Sequence, residues 1–186
     1  MNLFLDKMAT PVGEITFSFD EKGVLHSLDF LKEGRSPVFS LERFYKAANL
    51  KNRKSPDDLR RSLEAYFSGD LLSLEKISIA LPGTKFQRSV WEALCEIPAG
   101  TTCSYGDIAS KLKNPGAMRA VGMANNANPI AIVVPCHRVI GASGAMVGYG
   151  SGIARKTWLL RHEGVDIVGA NKASKAMDPR QGQLDL

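Results

Sequence analysis

A cysteine and a histidine stand side by side at the end of an apolar run, and together they could form an activated nucleophile. Residues 130–134 are rich in β-branched side chains and are followed by Pro135-Cys136-His137-Arg138. This pattern predicts a buried strand that ends where Cys136 begins. A free thiol has a pKa of about 8.5, so a base or a positive field is needed to form the thiolate near neutral pH. His137 is the base that the sequence offers.

The same two residues also have a purely structural interpretation. A buried cysteine often serves as a small apolar side chain, and a histidine beside it can be a hydrogen-bonded core group. Neighbours in the sequence need not hold their side chains together in space. Taken alone, Cys136 and His137 leave the nucleophilic and the structural interpretation open.

The cysteine count and the apolar pattern restrict the class of protein. Cys95, Cys103 and Cys136 are odd in number and contain no CxxC pair, which favours free thiols in a reducing cytosol over a disulfide framework. Paired metal-ligand spacing is missing, which argues against a structural zinc site. No apolar stretch approaches the roughly 20 residues of a membrane helix, and the first residues lack a signal-peptide pattern. We therefore expect a cytoplasmic protein without a membrane segment.

The net charge of +5 comes from the second part of the chain. Residues 1–80 hold 12 Lys or Arg and 12 Asp or Glu, whereas residues 81–186 hold 12 and 7. A basic half that also carries the candidate nucleophile fits a polyanionic partner. Ordinary variation of surface charge is the alternative.

The first half of the sequence predicts a small sheet followed by helices. Three segments alternate like strands and are separated by turn residues, which predicts an antiparallel meander: residues 3–5, 15–19 and 24–28. Helical patterns follow at residues 41–49 and 56–69, and a short strand is predicted near residues 77–81. We expect the domain boundary at Pro82-Gly83. No group of residues with evident chemistry stands out in this half.

The second half predicts helices around the candidate nucleophile. Thr84-Lys85-Phe86-Gln87 is a capping box that starts an amphipathic helix. Two shorter helices are predicted at residues 104–112 and 117–126, separated by the tight turn Asn114-Pro115-Gly116. Such a pair suggests a helix-turn-helix, although plain packing units share the pattern.

Motifs on both sides of Cys136 have a characteristic order and spacing. Upstream lie Ile97-Pro98-Ala99-Gly100-Thr101, Ser104-Tyr105-Gly106 and residues 119–129, and downstream lie Val139-Ile140-Gly141 and residues 144–150 and 156–164. In this order they resemble the O6-alkylguanine-DNA alkyltransferases, DNA repair proteins that each act once. The resemblance is dense over residues 86–164 and weak over residues 1–80.

The resemblance implies an α+β fold with two domains. Residues 1–81 would form a small N-terminal sheet-plus-helix domain that is ribonuclease H-like. Residues 82–168 would form a mostly helical, winged helix-turn-helix-like domain that binds DNA and accepts the alkyl group. Residues 169–186 lack periodicity, which predicts a flexible tail.

The implied function is the direct reversal of DNA damage. Cys136 would take an alkyl group from O6 of guanine, irreversibly and once per chain, after the nucleotide is flipped into a pocket; activity on O4-alkylthymine stays open. By the same resemblance, His137 takes the cysteine proton through a water and Glu163 orients His137, although a solvated helix end is the alternative for Glu163. Tyr105 would protonate the departing guanine, and Asn128 would brace the turn before the nucleophile. No cofactor or metal is implied.

The resemblance also assigns residues to the base pocket and to the DNA surface. The pocket would be lined by Tyr149, Val139, Gly150, Met146 and Pro135. Arg119 would fill the gap that the extruded nucleotide leaves, with a surface phosphate contact as the alternative. Ala120, Ala124 and Ala127 would let the second short helix approach a groove closely without reading the DNA sequence.

The last four residues carry a separate resemblance. Gln183-Leu184-Asp185-Leu186 is similar to the short peptide by which bacterial replication and repair proteins bind the sliding clamp. The tail could therefore tether the protein to replicating DNA. We expect a monomer in the bacterial cytosol or nucleoid, with double-stranded DNA that carries O6-alkylguanine as its partner.

Three other functions compete with alkyl transfer. A non-catalytic sensor of the same fold would bind alkylguanine without removing the group, but such proteins lack the reactive cysteine. A plain helix-turn-helix regulator would leave residues 135–138, Tyr105 and Glu163 unexplained together. A Cys-His hydrolase would turn over many times on a small ester or amide. Alkyl transfer accounts for all of these residues and is the preferred prediction.

Overall fold

The chain forms a four-stranded sheet with two helices, followed by a cluster of short helices. The computed structural model describes residues 1–31, 34, 36 and 38–167. The first half contains, in order, β1 (Asn2–Met8), β2 (Ile15–Phe19), β3 (Leu25–Phe30), α1 (Phe39–Phe44), β4 (Asn49–Asn52) and α2 (Asp57–Phe67). The second half contains α3 (Lys85–Cys95), β5 (Cys103–Ser104), α4 (Tyr105–Lys111), α5 (Met118–Asn126), β6 (Val139–Ile140) and α6 (Ile153–His162). The predicted α+β class is confirmed.

The predicted antiparallel meander is present in the first half. β1 pairs with β2 and β2 pairs with β3, both antiparallel, and the strand order is β3-β2-β1-β4. The central strand β2 is buried along its whole length. Phe17 and Leu28, which are register partners on neighbouring strands, are both fully buried. Cross-strand apolar pairs of this kind hold a sheet together.

The sheet has an edge strand that the sequence did not predict. β4 is exposed at every residue and pairs in parallel with β1, with Asn49 opposite Asn2. Its residues have low strand propensity, so the position at the sheet edge and not the local pattern decides its conformation. Because α1 ends at Phe44, the helix predicted over residues 41–49 is wrong in its second half. The strand predicted near residues 77–81 is reduced to a single bridge between Ile79 and Leu25.

Side chains fix the starts of the helices in the second half. The capping box predicted before α3 is present: Gln87 N–H donates to Thr84 Oγ1 at 3.2 Å, and Thr84 N–H donates to Gln87 Oε1 at 2.9 Å. Ser104 and Asp107 form a second capping box before α4. The indole of Trp91 on α3 is fully buried and donates a hydrogen bond to a carbonyl of α5. This bond fixes α3 against α5.

The two halves pack against each other over one continuous hydrophobic core. Leu28 N–H donates to the Pro129 carbonyl at 2.9 Å, and Ala131 N–H donates to the Leu28 carbonyl at 3.0 Å. On α6, the Arg155 guanidinium donates to the Val12 carbonyl at 2.9 Å. The division of the chain at residue 81 stays a proposal about its organisation. Among the residues described, no helix is both long and apolar enough to cross a membrane.

Candidate active site

The backbone before Cys136 is a tight turn and not the predicted strand. Ile132 is fully buried and has a φ of 73°, in the left-handed region that β-branched residues rarely adopt. Val133 N–H donates to the Ala131 carbonyl at 2.9 Å, which closes the turn around Ile132. Such a conformation costs about 1–3 kcal/mol and persists only where the surroundings impose it. The β-branched pattern of residues 130–134 could not show those surroundings.

Asn128 braces this turn from both sides. Its Nδ2 donates to the Val134 carbonyl at 2.8 Å, and its Oδ1 accepts from Ile130 N–H at 2.9 Å. The side chain also forms a hydrogen bond with the thiol of Cys136 that favours the thiolate. Asn128 therefore links the end of α5 to the turn before the cysteine.

Cys136 begins a short 3-10 helix of residues Cys136–Arg138 and is only 6% exposed. Burial raises the pKa of its thiol, because a thiolate loses solvation there. The hydrogen bond from Asn128 and the positive charge of Lys156 act in the opposite direction without reversing the shift. The resting thiol is therefore protonated at neutral pH and needs a base in order to react.

His137 and Glu163 form a fully buried pair. His137 Nε2 lies 2.9 Å from Glu163 Oε1, and neither side chain is exposed. An ionised carboxylate can only accept a hydrogen bond, so Nε2 carries the proton and Nδ1 has a free lone pair. Nδ1 is buried and has no hydrogen-bond partner among the described residues. Burial lowers the pKa of His137 although Glu163 opposes this shift, so the ring is a neutral base with Nδ1 open.

Glu163 accepts hydrogen bonds from three side chains. Besides His137, Arg138 donates to both carboxylate oxygens at 2.9 Å, and the Tyr66 hydroxyl donates to Oε1 at 2.8 Å. Burial alone would raise the pKa of Glu163, but the hydrogen bonds from His137 and Arg138 hold it well below its usual range. Glu163 lies at the C-terminal cap of α6, where the helix dipole disfavours an anion, and is only 4% exposed. It is not a solvated helix end.

Tyr66 and Arg138 are functional candidates that the sequence analysis missed. Tyr66 belongs to α2 in the first half, 97 residues before Glu163, and it is fully buried. Burial and the neighbouring Glu163 raise the pKa of its hydroxyl, so it stays a donor. Its position on the buried face of an amphipathic helix signals core packing, and no local pattern could reveal its distant partner.

Lys156 on α6 was quoted in a motif but given no role, and it is a third missed candidate. Its ammonium is buried and donates to the carbonyls of Val139 and Val147, each at 2.6 Å. It thereby ties the segment after the cysteine to the loop over residues 141–149. Burial lowers the pKa of Lys156 to about 8, although the proximity of Cys136 raises it in part. A buried lysine beside a buried thiol is a signal that only the folded chain provides.

A cavity of about 40 Å³ opens beside Cys136. Both halves line it: Asp29, Phe39, Ser40 and Arg43 from the first half, and Asn125, Asn126, Ala127, Asn128, Ala131, Cys136, Gly148, Tyr149, Gly150 and Ser151 from the second. The Tyr149 hydroxyl is buried and has no partner in the described part of the chain. Burial first and Cys136 second raise the pKa of Tyr149 well above its usual value, so its hydroxyl stays protonated.

Tyr105 stands at the first residue of α4, close to the loop of residues 141–149. Its hydroxyl donates to the Gly148 carbonyl at 3.4 Å. Gly148 has a φ of 61°, and a Cβ atom there would lie 2.7 Å from Tyr105 Oη, so only glycine fits. Burial and the nearby Cys136 raise the pKa of the Tyr105 hydroxyl.

Two of the five predicted pocket residues, Tyr149 and Gly150, line the cavity beside Cys136. Pro135 instead lines a separate cavity of about 400 Å³ on the other side of the turn. Val139 is fully buried, and its carbonyl is taken by Lys156. Met146 is half-buried and does not line the cavity that contains Cys136.

The predicted DNA-contacting residues separate into two pairs. Arg119 and Ala120 are exposed on α5. Ala124 and Ala127 are only 3% and 4% exposed, so the prediction that they face a groove is wrong. Ala124 lies on the face of α5 that packs on α3, and Ala127, the residue after α5, lines the cavity beside Cys136. The exposed residues of α5 are Met118, Arg119, Ala120, Met123 and Asn126.

Within the described ranges, no group of three His, Cys, Asp or Glu side chains could hold a metal ion. The candidate site places one thiol, that of Cys136, and the Tyr149 hydroxyl at a small cavity. The imidazole of His137, the carboxylate of Glu163 and the hydroxyls of Tyr66 and Tyr105 lie outside the lining of that cavity. Such a set can deprotonate a sulfur and supply a proton to a leaving group.

Each half of the chain matches a model of a known family. Residues 3–81 match the ribonuclease-like domain of 6-O-methylguanine DNA methyltransferase, and residues 85–165 match its DNA binding domain. This agrees with the fold described above, in which a small sheet domain precedes a cluster of short helices.

Individual relatives agree with these matches. The methylated-DNA–protein-cysteine methyltransferase of Methanosarcina mazei is 49% identical over 156 residues, which are 83% of this chain and 92% of the relative. The protein of that name from Salmonella typhimurium is 42% identical over 166 residues, 88% of this chain and 97% of the relative. The crystal structure of Mycobacterium tuberculosis OGT in complex with DNA is 40% identical, with a TM-score of 0.71 over 87% of this chain and 93% of that one. The family predicted from the motifs is confirmed: the chain belongs to the 6-O-methylguanine DNA methyltransferases.

Proposed function

We propose that this chain repairs alkylated DNA by direct reversal, with Sγ of Cys136 taking an alkyl group from O6 of guanine in double-stranded DNA. The names of its relatives and the solved relative in complex with DNA support this substrate class. The single observation that carries the proposal is the buried hydrogen bond between Glu163 and His137, the residue that directly follows Cys136. Glu163 holds the proton of His137 on Nε2, so Nδ1 is left to accept the proton of the thiol.

The reaction begins with the removal of the thiol proton. Nδ1 of His137 takes the proton of Cys136 through a water, and Glu163 stabilises the imidazolium that forms. The negative charge on sulfur is favoured by the Asn128 hydrogen bond and by the Lys156 ammonium. Because burial raises the pKa of Cys136, the thiolate forms mainly when these partners are in place.

The transfer step is a displacement at the alkyl carbon. The Sγ–C bond forms as the C–O6 bond breaks, and the electron pair of the broken bond stays with guanine. Tyr105, whose raised pKa keeps its hydroxyl protonated, donates a proton to the departing base. In the overall balance, the proton of the thiol replaces the alkyl group on guanine.

The product explains why each chain would act only once. The alkylated Cys136 is a thioether, whose sulfur–carbon bond water does not readily break. Our mechanism uses no second nucleophile at Cys136. The reaction is therefore stoichiometric and irreversible.

The base must leave the duplex in order to reach the buried thiol. Flipping a nucleotide costs a few kcal/mol, and less when the damaged base pairs poorly. Arg119 and Ala120 on the exposed face of α5 would support the opened duplex, with Arg119 in the vacated stack. Tyr149 and Gly150, which line the cavity beside Cys136, would contact the flipped base.

We propose that the chain acts as a monomer in the cytoplasm, on duplex DNA that contains O6-alkylguanine. The tail of residues 169–186 and its predicted clamp-binding peptide, Gln183-Leu184-Asp185-Leu186, lie outside the described residues. A pull-down with purified clamp, with and without the last four residues, tests the tether, and equal retention would refute it.

The intact mass of the protein after incubation with excess duplex that carries one O6-methylguanine tests alkyl transfer. We expect a gain of one CH2 per chain that maps to Cys136 and is absent in Cys136→Ala. Cys95→Ala is the matched control, because Cys95 is a free and exposed thiol, and it should gain the same mass as the native chain. An unchanged mass with tight binding to the lesion would show a sensor instead.

A further inference from the structure

The first half of the chain places a cation at the cavity that contains Cys136. Arg43 on α1 is exposed and lines this cavity together with Asn126, the exposed last residue of α5. Its guanidinium carbon lies 5.4 Å from the centroid of the Phe44 ring, within the range of a cation–π contact. The exposed Arg43 side chain therefore borders the cavity that a flipped nucleotide would enter.

The fold fixes the position of α1 and with it that of Arg43. Ser40 N–H donates to Asp29 Oδ2 at 3.1 Å, and Ser40 Oγ donates to Asp29 Oδ1 at 2.7 Å, which joins the start of α1 to β3. Leu41 is buried and anchors the same helix in the core. Asp29 also lines the cavity, but both of its carboxylate oxygens accept hydrogen bonds from Ser40.

The helix predicted to contact DNA is poor in positive charge. The nine residues of α5 contain one cation, Arg119, and the exposed Asn126 at its C-terminal end is neutral. Two further cations near the cysteine, Arg138 and Lys156, are buried and bound to Glu163 and to carbonyl groups. Proteins hold duplex DNA largely through Lys and Arg contacts to phosphates. A cation from the first half would supply such a contact beside Asn126.

We propose that Arg43 contacts a backbone phosphate next to the flipped nucleotide, so that the DNA-binding surface extends over both halves of the chain. A guanidinium suits this task because its planar donors match the oxygens of a phosphate. Arg43 thus positions the DNA and does not touch the reacting atoms. The proposal rests on the proposed function, since it requires DNA to approach the cavity beside Cys136.

The salt dependence of binding to an undamaged duplex tests this contact. Loss of one phosphate contact should make the slope of log K against log salt less steep by about 0.9, so that the deficit of Arg43→Ala shrinks about threefold between roughly 50 and 200 mM salt. Arg43→Lys keeps the charge and should keep the slope. Arg61→Ala, which removes an exposed arginine on α2 away from this cavity, is the matched control and should bind like the native chain.

Single-turnover transfer from an O6-methylguanine duplex separates binding from chemistry. Arg43→Ala should transfer within about twofold of the native rate at saturating duplex, and more slowly below saturation in proportion to its weaker binding. A native salt slope in Arg43→Ala, or a slower rate at saturation with unchanged binding, would overturn the proposal. If the native chain binds DNA but transfers no alkyl group, the proposed function fails while the salt slopes still decide on Arg43.

Discussion

The two halves of the molecule use the polypeptide backbone in different ways. The first half forms a regular sheet whose central strand is buried along its length. The second half surrounds its cysteine with two-residue strands, short helices and a left-handed isoleucine, and it buries Arg138, Lys156 and Glu163. The first half is thus held by regular strand pairing, whereas the second half builds the candidate site from irregular backbone and buried charged groups.

The division between the halves is nevertheless incomplete. Tyr66 of the first half donates to Glu163, and Leu28 of the first half is bonded to both ends of the segment from Pro129 to Ala131. The regular half therefore supports the strained half at the points where chemistry would occur. Substitutions that remove this support, or that remove the buried charges, test how far the two halves differ in their roles.

The largest effect is expected for Glu163→Gln. The amide would place a donor against the guanidinium of Arg138 and leave that charge buried without its partner, which costs about 3–5 kcal/mol of unfolding free energy. Alkyl transfer should also fall sharply, because His137 loses the group that fixes its proton. Urea unfolding and single-turnover transfer measure the two effects.

Glu92→Gln is the control for this substitution. Glu92 lies exposed on α3, so its loss should leave both the stability and the transfer rate close to native values. If Glu163→Gln were as stable and as active as Glu92→Gln, the buried charges of the second half would not be essential to the site.

Tyr66→Phe asks whether the first half takes part in the chemistry. It removes one hydrogen bond to a charged acceptor, which is worth about 1.5–3 kcal/mol, and leaves Glu163 with fewer donors. We expect a lower unfolding free energy and a slower transfer rate at saturating duplex, with native DNA affinity. Tyr45→Phe removes a hydroxyl that contacts His26 within the first half, and it should leave transfer unchanged. Equal transfer rates for Tyr66→Phe and Tyr45→Phe would show that the first half takes no part in the chemistry.

Lys156→Met tests the electrostatic support of the thiol. Burial raises the pKa of Cys136 and the Lys156 cation acts against this rise, so its removal should shift the rise of the transfer rate to higher pH and slow transfer at neutral pH. The pKa of Lys156 is lowered to about 8, so the native chain loses this advantage above that pH and the two rates should converge. Single-turnover rates of the native chain and of Lys156→Met between pH 6 and 9.5 test this, with Lys156→Arg as the control. Coinciding pH profiles for the native chain and Lys156→Met would contradict the prediction.

The smallest effect is expected for Asp6→Asn, a change confined to the first half. Asp6 accepts from Ser55 N–H and Arg60, and although burial acts against it, these bonds lower its pKa from 3.8 to about 2. A lowered carboxyl pKa stabilises the fold at pH above 3.8, and the contribution is lost as the pH falls towards about 2. We expect a loss of about 0.5–1 kcal/mol at pH 7, a smaller loss at pH 3 and native alkyl transfer. A transfer rate that differs from the native value in Asp6→Asn would contradict the expectation that Asp6 contributes only to stability.

The sequence predicted those features that repeat or that lie close together along the chain. The meander and the capping box at Thr84 follow from local patterns, and the motifs around Cys136 led to the correct family. The strand over residues 130–134 was wrong, because tertiary hydrogen bonds impose a turn on residues that favour strands. Ala124 was placed on the wrong face of α5, because the composition of a helix does not define its buried side, and Ala127 is buried just after the helix ends. Tyr66 was missed because its partner is distant in sequence.

The left-handed turn at Ile132 has a consequence for the order of folding. An unfolded chain rarely visits that conformation at a β-branched residue, and the bonds from Leu28 that hold the segment join residues about a hundred positions apart. The turn should therefore form late, after the sheet has met α5, so that substitutions at Asn128 mainly speed unfolding. A chain caught part-way through folding would carry Cys136 as an ordinary thiol, and reactivity would appear only in molecules whose assembly is complete.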